Sequence, residues 1–127
     1  MMENKNPDIL INEANQLLNS AIEEMQRAEE DVSAYSVCFN SRQSIVNYLI
    51  SYLSKNGVEL KRPVTVAGLM DQCRSIDGRF ELIDISQIFC SHDDRDEEYC
   101  LDVQKVAKCL QVAKQTRAIS TDESPAY

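Results

Sequence analysis

Between Leu10 and Leu53, apolar side chains recur three and four residues apart through two long stretches, with only a short polar break near residue 30. That spacing puts one side of each stretch on a single helical face. In the first stretch Leu10, Ala14, Leu17, Ala21, Met25 and Ala28 share a face. In the second, Tyr35, Cys38, Phe39, Arg42, Ile45, Val46, Leu49 and Leu53 do. The break is too short for anything but a reversal, so the pair predicts an antiparallel helical hairpin. Only three Gly and three Pro punctuate 127 residues. A sandwich or barrel with many tight turns would need more of both.

The ends of the elements are also written locally. Asn6, Pro7 and Asp8 suit a helix start: a capping side chain, a residue without N–H, and an acid at the positive end. The first helix is expected to run to about Glu30, and the second from about Val32 to Asn56, with Gly57 ending it at positive φ. The segment 58–64 reads as a loop. Thr65 caps a third helix reaching about Asp77, with Val66, Leu69, Met70 and Cys73 inward and Gly78 closing it. Residues 79–83 read as a connection, with an extended alternative over Phe80–Ile85. Asp84 then caps a short turn containing Ile85, Ile88 and Phe89. A last helix begins within the acidic run Asp93–Glu98 and continues to about Ile119, with Tyr99, Val103, Val106, Leu110 and Ala113 inward. The expectation is one all-α domain over 1–127, an up-and-down bundle of four to five helices. Its ordered core is expected at about 7–119 and its polar tail at 120–127.

The formal charge of −8, with an acid excess in both halves, repels a phosphate backbone at long range. RNA or nucleotide is therefore a disfavoured partner. The N-terminus is polar and no run approaches a membrane span, so neither a signal peptide nor a membrane anchor is expected. The odd set of Cys38, Cys73, Cys90, Cys100 and Cys109 has no C-x-x-C pair and falls mostly on apolar faces. These read as core cysteines of a cytoplasmic protein rather than redox or zinc ligands.

His92 is the single histidine. It excludes a zincin or a di-iron bundle site, each of which requires two. Cys90, His92 and Cys100 have no standard metal spacing, and Asp93–Glu98 lacks the glycine of a calcium loop. No metal and no cofactor is expected. Arg42 interrupts an apolar stripe and must be paired if buried. Asp102, Asp77 and Asp84 are its candidate partners. The bland reading is a structural ion pair or a snorkelling side chain. The sharper one is a pocket for an anionic ligand. Tyr35, Tyr48 and Tyr52 share the second helix with Arg42, and some must lie off a narrow core face. An aromatic surface there suits a homodimer. Lys55, Lys61 and Arg62 form the local basic cluster.

Three stretches together resemble the HEPN domains. Ser41-Arg42-Gln43-Ser44-Ile45-Val46-Asn47-Tyr48-Leu49-Ile50-Ser51-Tyr52-Leu53, closed by Gly57, is similar to that family's second long helix. Thr65–Cys73, through Leu69, resembles its short third helix, and Tyr99–Ala118 its last long one. The resemblance covers roughly residues 8–118 and implies a five-helix bundle, commonly dimeric. Many such proteins are metal-independent ribonucleases, and others accompany nucleotidyltransferases. The family's nuclease motif, Arg-x4–6-His, is missing. Arg42 is followed at those positions by Asn47, Tyr48 and Leu49, and Arg95 by Cys100, Leu101 and Asp102. The departure removes the catalytic imidazole. The expectation is a non-catalytic HEPN-like protein acting through homodimerisation or a protein partner, with Tyr48, Tyr52, Lys61 and Arg62 as its interaction surface. The alternatives are an atypical RNA- or nucleotide-acting enzyme using Arg42 and nearby acids, and an unrelated helical scaffold.

Overall fold

The computed structural model describes residues 6–28, 32–62, 64–85 and 103–121. Among them the fold is an all-α bundle without strands: α1 (Pro7–Met25), α2 (Ala34–Lys55), α3 (Val66–Ile76), a 3-10 turn (Gly78–Leu82) and α4 (Val103–Ser120). No helix of the described residues is long and apolar enough to cross a membrane.

The caps explain where the helices begin. Asn6 accepts from the Asp8 N–H at 2.7 Å, Ser33 from Ser36 at 3.3 Å and Thr65 from Gly68 at 3.0 Å. Each satisfies a donor that the first helical turn leaves without a partner. At the other end of α2, Gly57 sits at φ +69°. Its N–H donates to Ser54 O, and that of Val58 to Leu53 O at 2.9 Å. This pair of bonds is a Schellman closure.

α1 stops at Met25, short of the expected Glu30, and Ala28 is exposed. Glu24 provides the reason. Its carboxylate accepts from the Ser33 N–H at 2.7 Å and pairs with Arg27 at 3.5 Å, tying the end of α1 to the start of α2. Leu18 rather than Leu17 enters the core. α3 ends on Asp77 in an extended conformation, and Gly78, which lacks positive φ, opens the 3-10 turn instead of closing the helix. That turn replaces both the irregular and the extended expectations over its residues.

α2 is the central helix and packs on α1, α3 and α4. Two of its sides are therefore buried, and the single-stripe expectation is corrected. Tyr35 and Phe39 point outward, 43% and 46% exposed, their rings stacked 6.2 Å apart. Val37, Ser41, Ser44, Tyr48 and Ser51 are buried in addition to Cys38, Ile45, Leu49 and Leu53. The serine hydroxyls need nearby acceptors in such a setting. Ser44 donates to Ser41 O at 2.8 Å and Ser51 to Pro7 O at 3.0 Å. α2 and α4 run side by side in one direction, Cys38 meeting Cys109 and Tyr48 meeting Arg117.

Candidate functional site

Among the described residues, the end of α2 and the loop after it form a recess in the surface. Leu10 of α1, Ile50 and Ser54 of α2, and loop residues Gly57–Leu60 line a groove of about 470 Å³. That is within the ~300–1,000 Å³ typical of ligand pockets. Its loop is fixed rather than draped. Gln72 of α3, almost fully buried, donates from Nε2 to Glu59 O at 2.9 Å and accepts the Lys61 N–H at 3.2 Å through Oε1. One amide side chain thus does for the loop what a neighbouring strand would do. Lys55 follows the lining residue Ser54, and Lys61 and Arg62 follow Leu60. All three are exposed.

The predicted site residues divide sharply. Lys61 and Arg62 lie at the surface as expected. Tyr48 does not, and its place in the interaction surface is corrected: it is wholly buried. Its hydroxyl donates to Asn15 Oδ1 and receives Arg117. Burial pushes this phenol up to about 12, the nearby Arg117 charge opposing. Tyr52 is half-buried, its hydroxyl donating to Asp77 Oδ2 at 2.9 Å and its ring set edge-on to Phe80 at 4.9 Å. The outward aromatics of α2 are Tyr35 and Phe39 instead. The sequence signal that would have found them is the run of small polar residues Ser41, Ser44 and Ser51, which marks a second buried side.

Arg42 is half-buried at the α2–α4 seam, where its charge is felt by Cys109. The Cys38 thiol and burial push the Cys109 thiol up, against that charge. Arg42 does not line the groove. Of its candidate partners, Asp102 lies outside the described residues and Asp84 is exposed. Asp77 is held by others. Arg79 grips it through Nε at 3.1 Å and Nη2 at 2.7 Å, and the Arg79 N–H adds a third bond at 2.9 Å. The Arg79 side chain, with Tyr52, keeps the Asp77 carboxyl well below the ordinary range. Arg74 completes this corner, donating to Phe80 O at 3.3 Å and Ile83 O at 2.7 Å. These are structural bonds: they hold the 3-10 turn against α2 and α3.

Cys38, Cys73 and Cys109 are buried thiols, none of them in a disulfide among the described residues. Among the described residues no three His, Cys, Asp or Glu side chains come together to hold a metal ion. Cys90, His92, Cys100 and the run Asp93–Glu98 lie outside the described residues. The chain was compared with protein-family models, curated proteins and solved structures, and none of the three gives a match.

Proposed function

We propose that this protein acts by binding, as a non-catalytic helical module that holds a partner protein. The observation that carries the reading is the groove at the end of α2. Val58 and Leu60 of its loop wall are partly exposed above the buried Leu10 and Ile50, and that loop is pinned in advance by Gln72 and the Schellman closure. A preformed concave apolar site loses little ordering entropy on binding. The nearby polar clusters are internally bonded. The HEPN-like assignment, with a nucleotidyltransferase as a candidate partner, rests on the resemblance of the three stretches quoted above. The long, long, short, long order of helices among the described residues does not separate that assignment from an unrelated bundle. Among the described residues, three buried cysteines outside any disulfide favour a reducing compartment such as the cytoplasm.

The test is purification of the tagged chain from its native cells beside a Leu60→Asp variant. Bound protein, RNA and nucleotide would be identified by mass spectrometry. A stoichiometric protein that the variant loses is the expected result. RNA or nucleotide bound in its place, and lost on Arg42→Ala in a folded variant, would overturn it in favour of an atypical enzyme. A homodimer is the second reading, favoured by the stacked, outward Tyr35–Phe39 pair. Exposed aromatics of this kind are enriched in interfaces. Sedimentation of wild type and Phe39→Ser decides it, since a dimer built on this pair dissociates in the variant.

A further inference from the structure

We infer that the groove takes an acidic amphipathic segment of a partner protein, with one or two aliphatic side chains seated among Leu10, Ile50, Val58 and Leu60 and carboxylates set against Lys55 and Lys61. The inference rests on the binding reading above and names the chemistry of its partner. Three observations carry it. Both walls carry aliphatic side chains, Ile50 with Leu10 on one side and Val58 with Leu60 on the other, beside the polar Ser54 and Glu59. Its volume of about 470 Å³ suits a few side chains and is small for an entire helix. The rim contrasts with the rest of the molecule. In a chain of net charge −8, Lys55, Lys61 and Arg62 fall within eight consecutive positions, opposed there by Glu59 alone. Lys55 and Lys61 are exposed and make no ion pair among the described residues.

The overall negative charge does not decide the matter at contact. Charges farther than about 8 Å are largely screened at physiological ionic strength, so the rim governs what docks. A nucleic-acid strand is a poorer fit. The lining offers no aromatic face for a base to stack on, and the long-range field opposes a phosphate chain. A basic partner would meet the rim lysines with like charge, which costs affinity and on-rate.

The experiment selects random twelve-residue peptides by display on the intact chain, then measures the enriched peptides as fluorescein conjugates by anisotropy. The expected pool combines Asp or Glu with spaced Leu, Ile or Val. Leu60→Asp should abolish binding. The exposed pair Lys55→Glu and Lys61→Glu, which cannot disturb the core, should weaken it about tenfold at low salt and less at high salt. A basic or uncharged pool, no enriched pool, or affinity indifferent to the lysine reversals overturns the inference. Enriched peptides that reproduce this chain's own sequence would also overturn it, in favour of a second copy in the groove. Peptides that still bind Leu60→Asp but not Phe39→Ser remove the groove while leaving the binding reading intact. RNA captured by the native chain removes both.

Discussion

Gln72 is the side chain on which the shape of the groove depends, and replacing it by leucine isolates its contribution. The two residues have similar size, so the packing of α3 against its neighbours changes little. What is lost is a pair of hydrogen bonds, from Nε2 to Glu59 O and from the Lys61 N–H to Oε1. Each neutral bond contributes about 1 kcal/mol net. Glu59 and Lys61 are exposed residues, so water recovers part of both, and the expected loss is ~1–2 kcal/mol. For a domain of this size that lowers Tm by about 3–8 °C. Urea denaturation gives the free energy. Hydrogen exchange locates it: the Lys61 amide should lose protection while those of Leu49 and Leu53 keep theirs. Gln72→Glu sharpens the case. The carboxylate still accepts from Lys61 but faces the Glu59 carbonyl, and only its protonated form donates there. Its folded pKa should therefore lie above the ordinary ~4.3. A raised acid makes the folded state hold its proton longer than the unfolded one. The variant is then least perturbed below pH ~4 and loses stability as pH rises toward that folded pKa. Equal urea midpoints for wild type and both variants, with Lys61 protection unchanged, would refute the reasoning and with it the fixed groove.

Two further perturbations probe the polar clusters. Asp77→Asn keeps the cap on Arg79 but removes the charge that Arg79 and Tyr52 address, and should cost ~1–2 kcal/mol at neutral pH. Because the folded pKa of Asp77 is depressed, its contribution is complete above the unfolded value near ~4 and fades below it. Thermal melts between pH 6 and 2 should therefore converge for wild type and variant. Tyr48→Phe leaves Asn15 and Arg117 without the phenol and should cost ~1–2 kcal/mol. With the phenol pushed up to about 12, wild-type stability falls as pH rises from the unfolded value near ~10, a slope that melts of the variant should lack.

The sequence revealed the caps and much of the core, because both are local. Asn6, Ser33 or Thr65 needs only its own next turn, and the inward positions of α3 follow from one-sided packing. α2 was harder to read. A helix enclosed by α1 on one side and α4 on another has no single apolar stripe, so Tyr48 was exchanged for Tyr35 and Phe39. Ser44 and Ser51 look like surface residues until the carbonyls that accept their hydrogens are in place. The end of α1 escaped because Glu24 acts across the turn on Ser33. The groove was legible only in part. Its bases were visible as a cluster and Gly57 as a helix end, but Gln72 carries no signal of its role. A glutamine that bonds the backbone 11 and 13 residues before it is placed by tertiary structure alone.

The central position of α2 also shapes the life of the nascent chain. The α1–α2 hairpin is complete once Lys55 has been made, and its contacts are local. Yet the side of α2 bearing Cys38 and Ile45 is sheltered by a helix that ends at Ser120. At ~5–20 residues per second, several seconds separate the two events. Throughout that interval the growing chain presents an uncovered apolar face, which chaperones or a second growing chain can reach. Only the emergence of α4 withdraws it.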